Sequence, residues 1–302
     1  MTSHQRISQL QNNTRSITLH RAIRVAHRYT QRTQSISLVV SLAIACLGAL
    51  AKVAHPPLLA VATTIGAAWA GAYMVALSPQ VGRYLRTSAV LQEMLDTTLF
   101  GTTWNSVLVG EQLPEDEVSR LSRRFRGDEA SLRDYYLVAA VDAPYDVLFC
   151  LEQNLAWGSR IRRRFADVLL GFVAVWCVMG VIVGIVLGST VGNLVNAWFV
   201  PSLGLLLSCS DIARVQILTT RERMRVVRLV RAVMEDPSSP ILDNDEAFAV
   251  FSRQVQDVLF LARSQQSRTP QWFFRRFHDV DMADFRFKMQ ELERRASQGL
   301  HH

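Results

Sequence analysis

The chain has 302 residues, a formal net charge of +7 and a hydrophobic share of 49%. On average these values fit an ordinary globular protein, but the apolar residues are concentrated in two blocks and the charged residues fill the rest. The four cysteines show no C-x-x-C spacing, which argues against a disulfide framework or a cysteine zinc site. Because phosphate-loop, H-E-x-x-H and G-x-S-x-G motifs are also absent, we expect a protein without enzymatic activity, metal or cofactor.

Residues 1–34 form a basic N-terminal segment that contains no acidic residue. Ile17, Arg21, Arg24 and Arg28 are spaced to share one face of a helix that leads into the first apolar run. Because basic residues beside the first apolar run are retained on the cytoplasmic side of a membrane, we predict a cytoplasmic N-terminus.

Residues 35–78 are predicted to form a first transmembrane hairpin. Ile36–Ala51 carries no charge, and the sequence from His55 to Pro57 then interrupts the apolar run, because proline cannot continue a helix interior. The uncharged run Leu58–Leu77 follows. At 1.5 Å per residue this run is about 30 Å long as a helix, which is enough to cross the hydrocarbon core of a bilayer.

Residues 79–166 are predicted to be a cytoplasmic, mostly helical segment. The β-branched content of Thr102–Gly110 favours one short strand. Acidic residues follow Pro114 and arginines precede Gly127, which predicts a helix between them whose charges match the helix dipole. From Ala143 onward a helical pattern runs without interruption into the next apolar block.

Residues 167–212 are predicted to form a second transmembrane hairpin. Val168–Ser210 contains no charged residue, and this run is too long for one crossing but fits two. Gly188–Asn193 supplies the turn. Basic clusters at Arg160–Arg164 and Arg214–Arg231 flank the hairpin, so both flanks should be cytoplasmic, like the N-terminal segment.

Residues 213–302 are predicted to be a cytoplasmic helical segment. Its first helix should continue from the fourth span and end before Pro237, and Asp243-Asn244 offers an N-cap for a second helix. The fold class is therefore mainly α. We expect an integral membrane protein with four transmembrane helices in two hairpins, plus a mostly helical cytoplasmic domain with a small β element.

Glycines recur every four positions in the third predicted span, at Gly180, Gly184 and Gly188. On a helix this spacing places them on one face and lets a neighbouring backbone approach closely. The neighbour is either the fourth span of the same chain, which we favour, or another subunit of a homo-oligomer. No Asp, Glu, Arg or His lies at the centre of a span, which disfavours an ion-coupled transporter.

Short polar motifs occur in a fixed order along nearly the whole chain. They resemble the strings FDT, LG-x-x-WN, DWY, C-Q-R-x-N-x-W-W, R-R-x-Y and Q-D-x-I-F of one family. The matching residues are Asp96, Gly101, Trp104, Asn105, Gln153, Asn154, Trp157, Arg160, Arg163, Arg164, Gln256, Asp257, Arg263, Trp272 and Phe273. Together with the order of the spans, this set resembles the four-transmembrane effector family associated with SMODS nucleotidyltransferases, found in CBASS anti-phage systems.

The resemblance implies a membrane effector. A CD-NTase-type nucleotidyltransferase would make a cyclic oligonucleotide after phage infection, and the cytoplasmic region would bind it. The membrane helices would then oligomerise or rearrange and disrupt the bacterial inner membrane, so that the cell dies by abortive infection. The expected partners are thus the cyclic oligonucleotide, the lipid bilayer and further copies of the chain, but not DNA. The alternative is a non-catalytic membrane scaffold that recruits a cytoplasmic partner.

A cyclic oligonucleotide presents phosphates and flat bases, so its site needs guanidinium forks and aromatic faces. These residue types lie close together in sequence at six candidate ligand-binding residues: Arg123, Arg124, Arg126, Arg133, Tyr135 and Tyr136. The alternative is a solvated helix end with the tyrosines in the core, in which case the site would lie at Trp272–Arg276. The basic cluster Arg160–Arg164 lies just before a span. Its charge either only fixes the orientation of the protein in the membrane or binds a lipid headgroup or ligand phosphate.

Overall fold

The structure, a computed structural model, describes residues 3–54, 56–136, 141, 143–266, 269–270, 272–274, 276–277 and 294. In these ranges every regular element is a helix. The helices are α1 Ser3–Leu10, α2 Thr14–Ala54, α3 Pro56–Ala72, α4 Ser78–Phe100, α5 Ser106–Val109, α6 Glu115–Ser122, α7 Tyr145–Ala156, α8 Ser159–Val186, α9 Val191–Leu194, α10 Val200–Glu235 and α11 Asp245–Gln265. Five-residue π-helical segments join α3 to α4 at Tyr73–Leu77 and α9 to α10 at Val195–Phe199.

Four stretches in the described part of the chain are long and apolar enough to cross a membrane. They are Thr14–Ala51, Leu58–Phe100, Tyr145–Val186 and Val191–Glu235. This confirms the prediction of a mainly helical protein with four candidate membrane spans. The turn of the second hairpin lies between Val186 and Val191, as the glycine-rich sequence there predicts. His55, at the predicted turn of the first hairpin, lies outside the described residues.

The strand predicted for Thr102–Gly110 is replaced by a helical turn. Ser106–Val109 forms α5, because the Asn105 side chain accepts a hydrogen bond from the Leu108 N–H at 3.2 Å and caps the turn. The Trp104 indole N–H also donates to the Gly110 carbonyl at 2.8 Å and closes the loop. Local side-chain hydrogen bonds therefore outweigh the β propensity of this sequence.

Two predicted helix boundaries also differ from the structure. Helix α6 ends at Ser122 rather than at Gly127, because the N–H of Arg124 bonds the Leu121 carbonyl three residues back and the chain tightens into a turn. The arginines thus follow the helix instead of forming its last turn. The helix predicted to run unbroken from Ala143 is divided into α7 and α8 by Gly158, whose φ of +68° ends α7.

The chain divides into two compact units. The polar unit contains Met1–Arg28, Leu85–Ile161 and Leu218–His302. Its core is built from the inner faces of α2, α4, α7, α10 and α11, with Ile7 of α1. The most buried members of that core include Leu91, Leu95, Leu99, Leu148, Leu151, Leu155, Val227, Val230, Leu259 and Phe260.

The apolar unit contains Tyr29–Tyr84 and Arg162–Ile217. Its outward surface is rich in large apolar side chains, such as Val75 at 80% exposure and Ile185 at 74%. A surface of this kind is unfavourable in water but suits the hydrocarbon of a bilayer. Each of the helices α2, α4, α8 and α10 begins in one unit and ends in the other.

Glycines permit close packing inside the apolar unit. A Cβ atom on Gly180 would lie 2.4 Å from Nε1 of Trp198, and one on Gly184 would lie 3.0 Å from Cδ1 of Leu194. Trp198 and Leu194 both lie in the fourth candidate span. Gly188 has a φ of +56° and no neighbour within 4 Å of its Cβ position, so it serves the turn and not the packed stripe.

Candidate functional site

The polar unit holds a buried hydrogen-bond network centred on Asp96 of α4. The Asp96 side chain is 1% exposed. Its Oδ1 accepts a hydrogen bond from the Tyr136 hydroxyl at 2.6 Å, and its Oδ2 accepts from Arg263 Nη1 at 2.7 Å and from Asn154 Nδ2 at 3.3 Å. Because a buried carboxylate without partners is costly, these three donors compensate for the burial of the Asp96 side chain.

Tyr136 is held in this network from both ends. Its backbone N–H donates to Gln11 Oε1 at 2.8 Å, and its carbonyl accepts from Gln11 Nε2 at 3.3 Å. Its hydroxyl accepts from Asn154 Nδ2 at 2.6 Å while donating to Asp96. Burial raises the pKa of the Tyr136 phenol well above its usual range, and the negative charge of Asp96 raises it further. Tyr136 is therefore a neutral donor in the core of the polar unit.

Arg263 of α11 supplies the positive charge of the network. Burial alone would lower the pKa of its guanidinium, but the charge of Asp96, the neighbouring Tyr136 and Tyr135, and the hydrogen bond to Asp96 together outweigh burial, so the pKa is raised. The side chain is 6% exposed and remains protonated. The result is a fully buried ion pair that joins α4 to α11.

A second ionic group lies beside the first on the same two helices. Arg253 Nη2 contacts Glu93 Oε1 at 2.5 Å and Asp257 Oδ1 at 2.9 Å, and Arg253 Nη1 donates to the Thr103 carbonyl at 2.7 Å. Asn105 Nδ2 donates to both carboxylate oxygens of Asp257, at 3.1 and 3.0 Å. The family-motif residue Asn105 therefore caps α5 and also attaches that turn to α11.

The other family-motif residues are placed as follows. Gly101 ends α4 with a φ of +72°, and Gln153 Nε2 donates to the Tyr135 carbonyl at 3.5 Å. Trp157 is half-buried after α7. Arg160, Arg163 and Arg164 are exposed at the start of α8, where Arg163 pairs with Asp167 at 3.3 Å. Trp272 is 70% exposed and Phe273 is buried, with ring centroids 5.6 Å apart.

The six candidate ligand-binding residues do not share one environment. The four arginines, Arg123, Arg124, Arg126 and Arg133, have exposed side chains. Tyr135 is 37% exposed, and its ring centroid lies 4.8 Å from that of His20. Tyr136 is 2% exposed and its hydroxyl is bonded within the network, so the structure places it in the core and not at a surface.

The segment that carries these candidates is bonded to helix α2 at several points. Arg21 pairs with Glu129, and Arg28 Nη2 donates to the Arg126 carbonyl at 3.4 Å. Asn12 Nδ2, just before α2, donates to Asp134 Oδ1 at 2.7 Å. Residues 126–134 are thus attached to α2 and to the residues just before it, and α2 contains the first candidate span.

Sequence reasoning missed three residues that matter here: Glu93, Arg253 and Gln11. Glu93 and Arg253 are 160 residues apart, and Gln11 and Tyr136 are 125 apart, so no local pattern joins them. The available signal was the spacing of Glu93 and Asp96, which places two acids on one face of a helix that is otherwise apolar there. Within the described residues, no group of three or more His, Cys, Asp or Glu side chains could hold a metal ion.

The comparisons with known proteins agree with the motifs. The model of the SMODS-associating 4TM effector domain matches residues 5–292. The chain belongs to this family. The resemblance inferred from the ordered motifs is therefore confirmed. Five residues of those motifs belong to the two networks: Asp96, Asn105, Asn154, Asp257 and Arg263.

A curated relative gives the same indication. A protein described as a probable CBASS effector molecule of Bacillus cereus (strain VD146) is 24% identical to this chain over 198 residues. The match covers 64% of the chain and 64% of the relative's length, slightly less than two thirds of each. No solved structure matches the chain.

Proposed function

We propose that this 4TM effector acts in a cyclic-oligonucleotide anti-phage (CBASS) system. Its polar unit binds a cyclic oligonucleotide made by a CD-NTase-type nucleotidyltransferase. Its transmembrane helices then rearrange or oligomerise and disrupt the bacterial inner membrane. Support comes from the family of the chain and from the description of its Bacillus relative as a probable CBASS effector.

The observation that carries the proposal is the continuity of the long helices. Helices α2, α4, α8 and α10 each have residues in the polar unit, and each contributes to one of the four stretches that are long and apolar enough to cross a membrane. A ligand that changes the packing of the polar unit therefore acts on segments covalently continuous with the spans. A population shift of this kind requires only that the ligand bind one arrangement of the helices more tightly than the other.

In this mechanism the buried networks stabilise the polar unit and do not contact the ligand. Asp96, Arg263, Tyr136 and Asn154 are bonded to one another and buried. The exposed arginines on the segment beside α2 are accessible to a phosphate, and guanidinium groups bind phosphate oxygens in bidentate fashion. We therefore place the ligand at the surface of the polar unit. In the same proposal, both termini and the polar unit lie in the cytoplasm, and the protein catalyses no reaction.

Membrane depolarisation in bacterial cells tests the proposal. The effector is co-expressed with its associated nucleotidyltransferase in active form or as a catalytically inactive variant, and a potential-sensitive dye is followed. We expect depolarisation and growth arrest only with the active enzyme. Equal behaviour in both strains, with the effector inserted in the membrane, would contradict the proposal and favour a scaffold that recruits a cytoplasmic partner.

A further inference from the structure

Helix α2 carries arginines in two different electrostatic situations. Arg15 and Arg21 form ion pairs with Glu115 and Glu129. Arg24 and Arg28 are exposed, and neither is paired with a carboxylate in the part of the chain that the structure describes. The difference is not one of position along the chain, since only two residues separate Arg21 from Arg24.

A third arginine joins the unpaired two. Arg28 Nη2 donates to the backbone carbonyl of Arg126, which places these two residues side by side. The Arg126 side chain is exposed, and within the described residues its hydrogen bond is to the neighbouring carbonyl of Phe125, at 3.5 Å. Arg24 precedes Arg28 by one helical turn, and residues four apart on a helix lie about 6 Å from each other. Three exposed arginines without a carboxylate partner among the described residues therefore occupy neighbouring positions, two on α2 and one on the segment that Arg28 contacts.

An aromatic surface lies at the other end of this row. His20 lies one turn before Arg24, and its ring contacts the partly exposed ring of Tyr135 at 4.8 Å between centroids. From His20 to Arg28 the helix rises about 12 Å, at 1.5 Å per residue. A base stacked on Tyr135 and a phosphodiester at the arginines would fit along this length, because stacking on aromatic rings and guanidinium contacts to phosphate are the usual means of binding a nucleotide chain.

Like charges placed together repel, and an anion removes the repulsion. We infer that Arg24, Arg28 and Arg126 form a phosphate-binding site for an anion with two or more negative charges, and that Tyr135 stacks on one of its bases. This inference rests on the proposed function for the identity of the anion as a cyclic oligonucleotide. It replaces the buried Tyr136 by Tyr135 as the stacking residue and adds two arginines from α2 to the candidate set.

The same chemistry would also suit a lipid phosphate. Arg28 lies eight residues before the apolar run that starts at Ile36, about 12 Å along the helix. The experiment must therefore separate a soluble phosphate from a headgroup. Full-length protein in nanodiscs of pure phosphatidylcholine and in nanodiscs of pure phosphatidylglycerol provides the two conditions.

Binding of inorganic pyrophosphate is measured first, by calorimetry in phosphatidylcholine nanodiscs at low salt. We expect Arg24→Gln, Arg28→Gln and Arg126→Gln each to raise the dissociation constant tenfold or more. Arg21→Gln is the matched control, because it removes the same charge from the same helix but from an existing ion pair, and it should change the constant less than twofold. Equal losses in all four variants, or no binding by the wild-type protein, would overturn the site.

The second arm identifies the source of the phosphate. A panel of cyclic di- and trinucleotides is tested for competition with pyrophosphate, and we expect at least one to compete in wild type and to lose affinity in Tyr135→Ala. If none competes, or if phosphatidylglycerol nanodiscs abolish pyrophosphate binding, the assignment to a nucleotide is overturned and the site belongs to a lipid headgroup.

Failure of the site and failure of the proposed function give different results. If a cyclic nucleotide releases dye equally from vesicles that contain wild-type or Arg28→Gln protein, the function stands and the site is wrong. If competition at the three arginines is observed but no cyclic nucleotide releases dye, the site stands and the membrane-disrupting function is wrong.

Discussion

Replacing Asp96 by asparagine is the sharpest perturbation of the buried network. Three donors, from Tyr136, Asn154 and Arg263, converge on the two carboxylate oxygens. The amide of asparagine has one acceptor oxygen and presents an NH2 group in place of the other. At least one buried donor is therefore left without an acceptor, and the charge of Arg263 is left without a counter-charge.

The magnitude follows from these two losses. A buried donor without a partner costs about 1–3 kcal/mol, and breaking a buried ion pair from one side costs about 3–5 kcal/mol. The two effects overlap because they concern the same atoms, so we expect Asp96→Asn to reduce the free energy of unfolding by about 3–5 kcal/mol. Glu129→Gln is the control, since its pair with Arg21 is partly solvated and worth at most about 1 kcal/mol.

The assay is chemical and thermal unfolding of the purified protein in detergent, followed by the fluorescence of its tryptophans. A double-mutant cycle with Arg263→Met should show strong positive coupling, because removing both charges leaves no uncompensated ion in the core. If the free energy of unfolding of Asp96→Asn lies within about 0.5 kcal/mol of the wild-type value, the loss is smaller than that of one ordinary hydrogen bond. The network would then not stabilise the core, and the argument would fail.

Three further predictions concern other parts of the chain. Gly184→Leu should weaken the second hairpin and abolish membrane disruption, because a Cβ atom at Gly184 would lie 3.0 Å from Leu194. Gly171→Leu should be tolerated, because no atom lies within 4 Å of its Cβ position, and size-exclusion and vesicle-leakage assays compare the two variants. Gln256→Leu should raise the free energy of unfolding by about 1–3 kcal/mol in denaturant titration, because that buried amide makes no hydrogen bond within the described residues and leaving it unpaired is costly; a decrease would reveal a hidden partner. A cysteine at Ser189 should react with an impermeant thiol reagent in intact spheroplasts while one at Ser119 is protected, and the opposite pattern would invert the topology.

The membrane spans could be predicted from the sequence because the length of an uncharged, apolar run decides whether it can cross a bilayer. Val168–Ser210 carries no charge and is about twice the length needed for one crossing. The structure accordingly ends α8 at Val186 and begins α9 at Val191. The N-cap at Asn244 could also be predicted from the sequence. Its Oδ1 accepts hydrogen bonds from the N–H groups of Glu246 and Ala247, at 2.8 and 3.0 Å.

The buried networks could not be predicted, because their members meet only in the folded chain. Asp96 and Arg263 are separated by 167 positions, and nothing in the local sequence of α4 selects α11 as its partner. The family motifs indicated which residues matter but not what they do. The sequence neighbours of Tyr136 predict a ligand-binding role, whereas in the structure its hydroxyl donates a hydrogen bond to Asp96 in the core.

Release of a trapped dye from vesicles tests the central claim most directly. Full-length protein is reconstituted into vesicles loaded with a self-quenching dye, and cyclic di- and trinucleotides are added one at a time. We expect one of them to cause rapid release that saturates with concentration and requires the protein. Binding of a cyclic nucleotide without any release, or release that is the same with and without nucleotide, would contradict the account of a ligand-gated membrane effector.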